Sequence, residues 1–159
     1  MTQQRDSVGP VAPPRALYGW SPARLPADTP AKRRVDHLLP ATGIPMALYF
    51  AGVIGLLAVA PLLSIRADLA MDGSAALAAA AWCGANFWRC RHAHCVVTAT
   101  GWSALGAFCF AEAGLGRSLI AGHEQPLFVA VLVLGLLFEA GWVIRRGTNA
   151  CTGRGAAER

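Results

Sequence analysis

From Ile44 to Ile65 the chain runs for 22 residues without a charged side chain. An α-helix rises about 1.5 Å per residue, so a run of this length reaches across a hydrocarbon layer of about 30 Å. A helix half-buried in a water-soluble protein needs a polar face, and this run has none. Pro45 falls in the first turn, where a missing N–H costs little, and Pro61 predicts a kink near the far end. Ala47, Ala51 and Gly55 recur every fourth position, a small-residue stripe against which another helix can pack closely.

Three more apolar segments follow. Gly73 to Trp88 is rich in Ala and bounded by Asp72 and Arg89. Its 16 residues are short for a span, so it must borrow from its flanks or sit where the bilayer is thin. Ala93 to Ala111 carries Gly101, Trp102 and Gly106, and Pro126 to Ile144 ends at Arg145 and Arg146. Charged residues make up only 14% of the chain, against about 25% in an average soluble one. Six of the fourteen basic residues precede Gly43 and four follow Ile144, so the middle is left nearly uncharged. The expectation is an all-α integral membrane protein, a four-transmembrane-helix bundle over 44–146 with spans 44–65, 73–88, 93–111 and 126–144.

The flanks read differently. Residues 1–43 hold seven of the ten prolines, a density that blocks helix interiors and strand ladders. They are expected to form a disordered Pro/Arg-rich tail, and 147–159 a flexible one. Lys32, Arg33 and Arg34, then Arg89 and Arg91, then Arg145 and Arg146 fall on one side of a four-span chain, with single arginines, Arg66 and Arg117, on the other. Excess Lys and Arg mark the cytoplasmic side, which predicts a multi-pass protein of the bacterial inner membrane with both termini cytoplasmic. Trp88 and Trp142 then sit at that same interface. The first apolar run begins too far into the chain for a signal peptide.

The net charge of +5 comes with no compact basic patch interleaved with aromatics, so nucleic acid is not the expected partner. Five cysteines in so apolar a chain do not form a secreted disulfide framework. No nucleophile–base pattern or phosphate loop is present, and an enzyme is not expected.

Three of the five cysteines and two of the four histidines fall between Cys83 and Cys95. The spacing fits neither a zinc-finger pair, nor CxxC, nor the CxxCH of haem attachment. Thiolate and imidazole together suit thiophilic ions: Hg²⁺, Cu⁺ or Zn²⁺. On a continuous helix Cys83 and Cys90 stand about 10 Å apart, too far for one ion. A turn at Arg91 to Ala93 instead lets Cys90, His92, His94 and Cys95 converge, with Cys83 a deeper station. Asn86, on the face of Cys83, and Glu139, at matching depth in the fourth segment, are accessory candidates. Ionisable groups within spans are functional candidates by default. Cys109 reads as a buried small hydrophobe.

At these residues the chain resembles the small membrane proteins of bacterial mercury resistance, which bring Hg²⁺ inward through thiols in a span and at the cytoplasmic face. Cys83 matches the in-span thiol, and Cys90 and Cys95 the cytoplasmic pair. The cysteine pair of that family's first helix is absent here. The resemblance implies transport or cytoplasmic-face carriage of a thiophilic metal ion, handed to a cytoplasmic metal acceptor. The alternative is a structural or assembly subunit of a membrane complex, with a homo-oligomer or membrane partner and one structural zinc. Haem is disfavoured by the placing of His37 and His123 on opposite sides.

Overall fold

The computed structural model describes residues 29–38, 44–147, 149 and 151. Among these the chain is helical: α1 Pro30–Leu38, α2 Ile44–Val59, a single 3₁₀ turn Ala60–Leu62, α3 Ile65–Cys90, α4 Ala93–Leu115 and α5 Glu124–Arg146. The disorder expected for 1–28 and 39–43, and the flexibility expected for 148, 150 and 152–159, lie outside the described residues.

Helix α1 corrects the expectation of a wholly irregular tail. Thr29 caps it, its Oγ1 accepting from the Lys32 N–H at 3.2 Å. Pro30 occupies the first helical position, where its fixed φ helps, and no proline follows before Leu38.

Helix α2 stops short of the expected Ile65 because of Pro61. Proline has no N–H for the carbonyl four residues back, here that of Leu57. That carbonyl accepts instead from Gln125 Nε2 at 2.7 Å, which ties the end of α2 to the start of α5. The backbone tightens into the 3₁₀ turn, becomes extended at Ser64 and restarts as α3.

Helix α3 has 26 residues, so the second segment is not short; it begins eight residues before Gly73 and takes Asp68 and Asp72 into the helix. It ends where Arg91 turns left-handed (φ 56°), its N–H bonding to Phe87 O.

Adjacent helices run antiparallel, as short connections require. Tyr49 on α2 donates to Ala78 O on α3 and packs on Trp82 with centroids 4.6 Å apart. Gly106 on α4 faces Gly73 and Leu77 on α3 so closely that a Cβ there would stand 2.7 Å from Leu77 Cγ. Trp102 on α4 stacks on Phe128 of α5 (4.8 Å) and donates to its carbonyl at 3.0 Å. The core between α3 and α4 is built from Ala75, Ala76, Ala79, Cys83, Cys95, Leu105 and Cys109. Small side chains bring backbones together where larger ones would hold them apart.

Two helices, α4 and α5, are long and apolar enough to cross a membrane, and Met46–Leu62 is a shorter apolar helix. Leu127, Val129, Val133, Leu134 and Leu137 all face outward from α5. The Ala47, Ala51 and Gly55 stripe is exposed among the described residues; Tyr49 and Val53 pack toward α3 instead.

Candidate metal centre

The α3–α4 turn decides which side chains meet. His92 is extended and begins α4, which sets His94 and Cys95 in the first turn of that helix. Antiparallel pairing then lays Cys83 of α3 beside Cys95, and α5 brings Glu139 to His94. Gly135 permits the second approach: one turn before Glu139, a Cβ on it would stand 2.5 Å from Thr98 Cγ2.

His94 lies at the centre. Its Nδ1 is 2.6 Å from Glu139 Oε2, and its Nε2 is 3.3 Å from Cys95 Sγ. A carboxylate can only accept, so the proton of a neutral imidazole belongs on Nδ1, and Nε2 is left to receive the thiol. Cys95 also accepts from Asn86 Nδ2 at 3.5 Å, and its thiol is in hydrogen-bond contact with that of Cys83, which also reaches Thr98. A continuous polar line thus leads from Cys83 through Cys95 and His94 to Glu139.

Donor atoms of His92, His94 and Glu139 lie within 4.8 Å of one another. Glu139 is 2% exposed, yet among the described residues its Oε1 has no hydrogen-bond partner, and neither has the buried His92 Nε2. Buried polar atoms are almost always satisfied, and an orphan on two of three converging residues calls for an explanation such as a bound ion. Burial pushes the His92 imidazole below its usual range; Glu139 opposes this and His94 adds to it. At neutral pH the ring is therefore uncharged, the form that binds a metal.

Of the expected ligands, the structure brings together His92, His94 and Glu139 as one group and Cys83 and Cys95 as an adjoining pair. Cys90 is buried at the end of α3 but is not among the converging donors. The physical reason is its height: Cys90 is level with the turn itself, whereas Cys83, two helical turns down, is opposite Cys95. Glu139 is one of the three converging donors, and Asn86 touches the thiol pair through Cys95.

Two features escaped the sequence. Cys151, past the end of α5, lies against the turn, with its N–H bonded to Arg91 O at 2.7 Å. At the other end of the bundle Asp72, Glu112 and Glu124 are nearly fully buried. Gln125 Nε2 donates to Asp72 at 3.2 Å, the Leu119 N–H to Glu112, and Ser118 Oγ to Glu124 at 2.5 Å. The partners of Glu112 and Glu124 come from the α4–α5 loop, which has no periodic signal to read.

No family model, no curated protein and no solved structure matches this chain.

Proposed function

We propose that this chain is a multi-pass membrane protein that binds a thiophilic metal ion inside its helical bundle and passes it between a thiol pair and a histidine–carboxylate site. The observation that carries this reading is the convergence of His92, His94 and Glu139 around two orphaned buried atoms. A buried carboxylate with one oxygen left without a partner among the described residues is costly, and a bound cation offsets that cost.

The donor set indicates the ion. Two imidazoles and a carboxylate suit Zn²⁺, whereas the adjoining thiols, Cys83 and Cys95, suit Cu⁺ or Hg²⁺. Zn²⁺ is therefore the first choice for the His/Glu site. His94 touches both stations and gives an ion a route in which each new ligand binds before the last releases. On this reading the likeness to mercury-resistance membrane proteins lies in the in-span thiol, Cys83, and a cytoplasmic acceptor takes the ion at the α3–α4 turn.

The packing supports a reading with four spans. Helix α3 runs antiparallel beside α4 over its length, so a bilayer crossed by α4 and α5 also contains α3. Asp72 of α3 is buried against Gln125 rather than turned to lipid. Helix α2 with its 3₁₀ turn covers 44–62 and completes the bundle.

A second reading, structural zinc in an assembly subunit, is favoured by one feature: the same three ligands pin the α3–α4 turn to α5. Zinc titration of the purified chain tests the site, and loaded vesicles separate the readings. Wild type should bind Zn²⁺, and His94→Gln and Glu139→Gln should each weaken binding by roughly 10- to 100-fold. Unchanged affinity in both variants removes the site. Binding without vesicle uptake, together with a melting temperature lowered by chelation, transfers the case to the structural reading.

A further inference from the structure

Zinc held by protein takes four ligands in a tetrahedron, and His92, His94 and Glu139 supply three. Cys95 is the nearest thiol, but it stands on the wrong side. It faces Nε2 of His94, while Glu139 faces Nδ1. Those two directions diverge across the ring, so an ion that displaces the Nδ1 proton and sits between Glu139 and His94 cannot also reach Cys95. The fourth ligand has to come from elsewhere.

The chain beyond α5 supplies a candidate. Gly147, left-handed at φ 70°, ends the helix and turns the backbone back toward the α3–α4 loop. Two backbone hydrogen bonds then bracket His92: Ala93 N–H to Asn149 O at 2.9 Å, and Cys151 N–H to Arg91 O at 2.7 Å. Asn149 is 2% exposed, packed into the protein rather than lying over it. Cys151 is half-buried, a free thiol whose environment is set by burial, by Arg91 and by Glu139. This thiol belongs to a residue whose backbone is bonded to the neighbour of His92, and Glu139 is among the charges that act on it.

Charge favours the same residue. Two neutral imidazoles, one carboxylate and one thiolate exactly balance Zn²⁺ in number, and a neutral site is the least costly to bury. We propose that Cys151 is the fourth ligand of a metal ion held by His92, His94 and Glu139, so that the segment after α5 closes the site; this rests on the metal reading above. Cys151 binds as the thiolate, its proton leaving to solvent.

Cobalt reports the ligand directly, because a bound thiolate gives a near-ultraviolet charge-transfer band and a tetrahedral site gives intense visible bands. The full-length protein is titrated with Co²⁺ and then with Zn²⁺, as wild type, Cys151→Ser and Cys95→Ser. The expected result is a thiolate band in wild type and in Cys95→Ser, its loss in Cys151→Ser, and Zn²⁺ affinity at least about tenfold weaker in that variant. Zn²⁺ should also protect Cys151 from maleimide in the unsubstituted protein, read by peptide mass. A band that survives in Cys151→Ser and vanishes in Cys95→Ser overturns the proposal and leaves the three-ligand site standing. Binding with no thiolate band in wild type does the same. Failure of wild type to bind either ion overturns both.

Discussion

An imidazole carries two nitrogens that point in nearly opposite directions, and in His94 both are engaged: Nδ1 with Glu139 and Nε2 with Cys95. This makes His94 the junction between the thiol pair and the His/Glu site, and it separates two properties that single substitutions can resolve. Cys83 touches Cys95 but none of the three converging donors, so it belongs to the approach rather than the resting place. Cys83→Ser should therefore slow metal uptake into vesicles while leaving equilibrium Zn²⁺ affinity within about twofold of wild type, since no ligand of that site is lost. Equal uptake at matched protein content would sink the relay and favour the structural reading. Asn86 supports the same step by donating to Cys95 Sγ, a contact that helps hold a thiolate when the ion has moved on.

Between residue and bundle, the spacing of α4 and α5 sets the site. Gly135 lies against Thr98 with no room for a side chain, and Glu139 is one turn further along the same face. Gly135→Val should push the helices apart, destabilise the fold by about 1–3 kcal/mol and lengthen the His94–Glu139 contact, weakening Zn²⁺ binding. Gly141, with nothing within 4 Å of its Cβ position, is the control, and Gly141→Ala should bind as wild type. Full affinity in Gly135→Val at unchanged stability would mean that helix spacing does not position the carboxylate. The helices themselves were legible because charge is so scarce between Ile44 and Ile144. Their ends were less so. Asp72 read as a boundary, yet in α3 it accepts from Gln125, and nothing in a single segment announces such a partner. Thr29–Pro30 is a helix start hidden in a proline-rich tail. The Cys/His concentration marked the stretch that holds His92 and His94, and equal depth pointed to Glu139, which converges with them. Choosing Cys83 over Cys90 as the partner of Cys95 required the position of the turn and the direction of α4. Cys151 needed the path of the chain after Gly147, which only tertiary contacts reveal.

At the scale of the molecule, the two ends of the bundle carry opposite charge. Asp68, Asp72, Glu112 and Glu124 gather at the end that holds the α4–α5 loop, whereas Arg89, Arg91, Arg145 and Arg146 gather at the end that holds the α3–α4 turn. The acidic members are mostly buried, and Arg145 and Arg146 are exposed. Exposed arginine beside a span is retained in the cytoplasm, while buried carboxylates have little influence on orientation. The proposed topology puts the candidate metal site at the cytoplasmic face, where a reducing environment keeps its thiols free for binding. Reporter fusions can test both the orientation and the crossing by α5. A fusion after Arg154 should be active with a cytoplasmic reporter and silent with a periplasmic one, and a fusion after Gly122, in the α4–α5 loop, should show the reverse. A periplasmic signal at Arg154 would place the site outside and remove the cytoplasmic acceptor from the scheme. The same signal at both positions would mean that α5 does not cross, since its 23 residues are all that separates the two fusion points within the bundle. Opposite signals, with Arg154 inside, are what an even number of spans and a cytoplasmic start require.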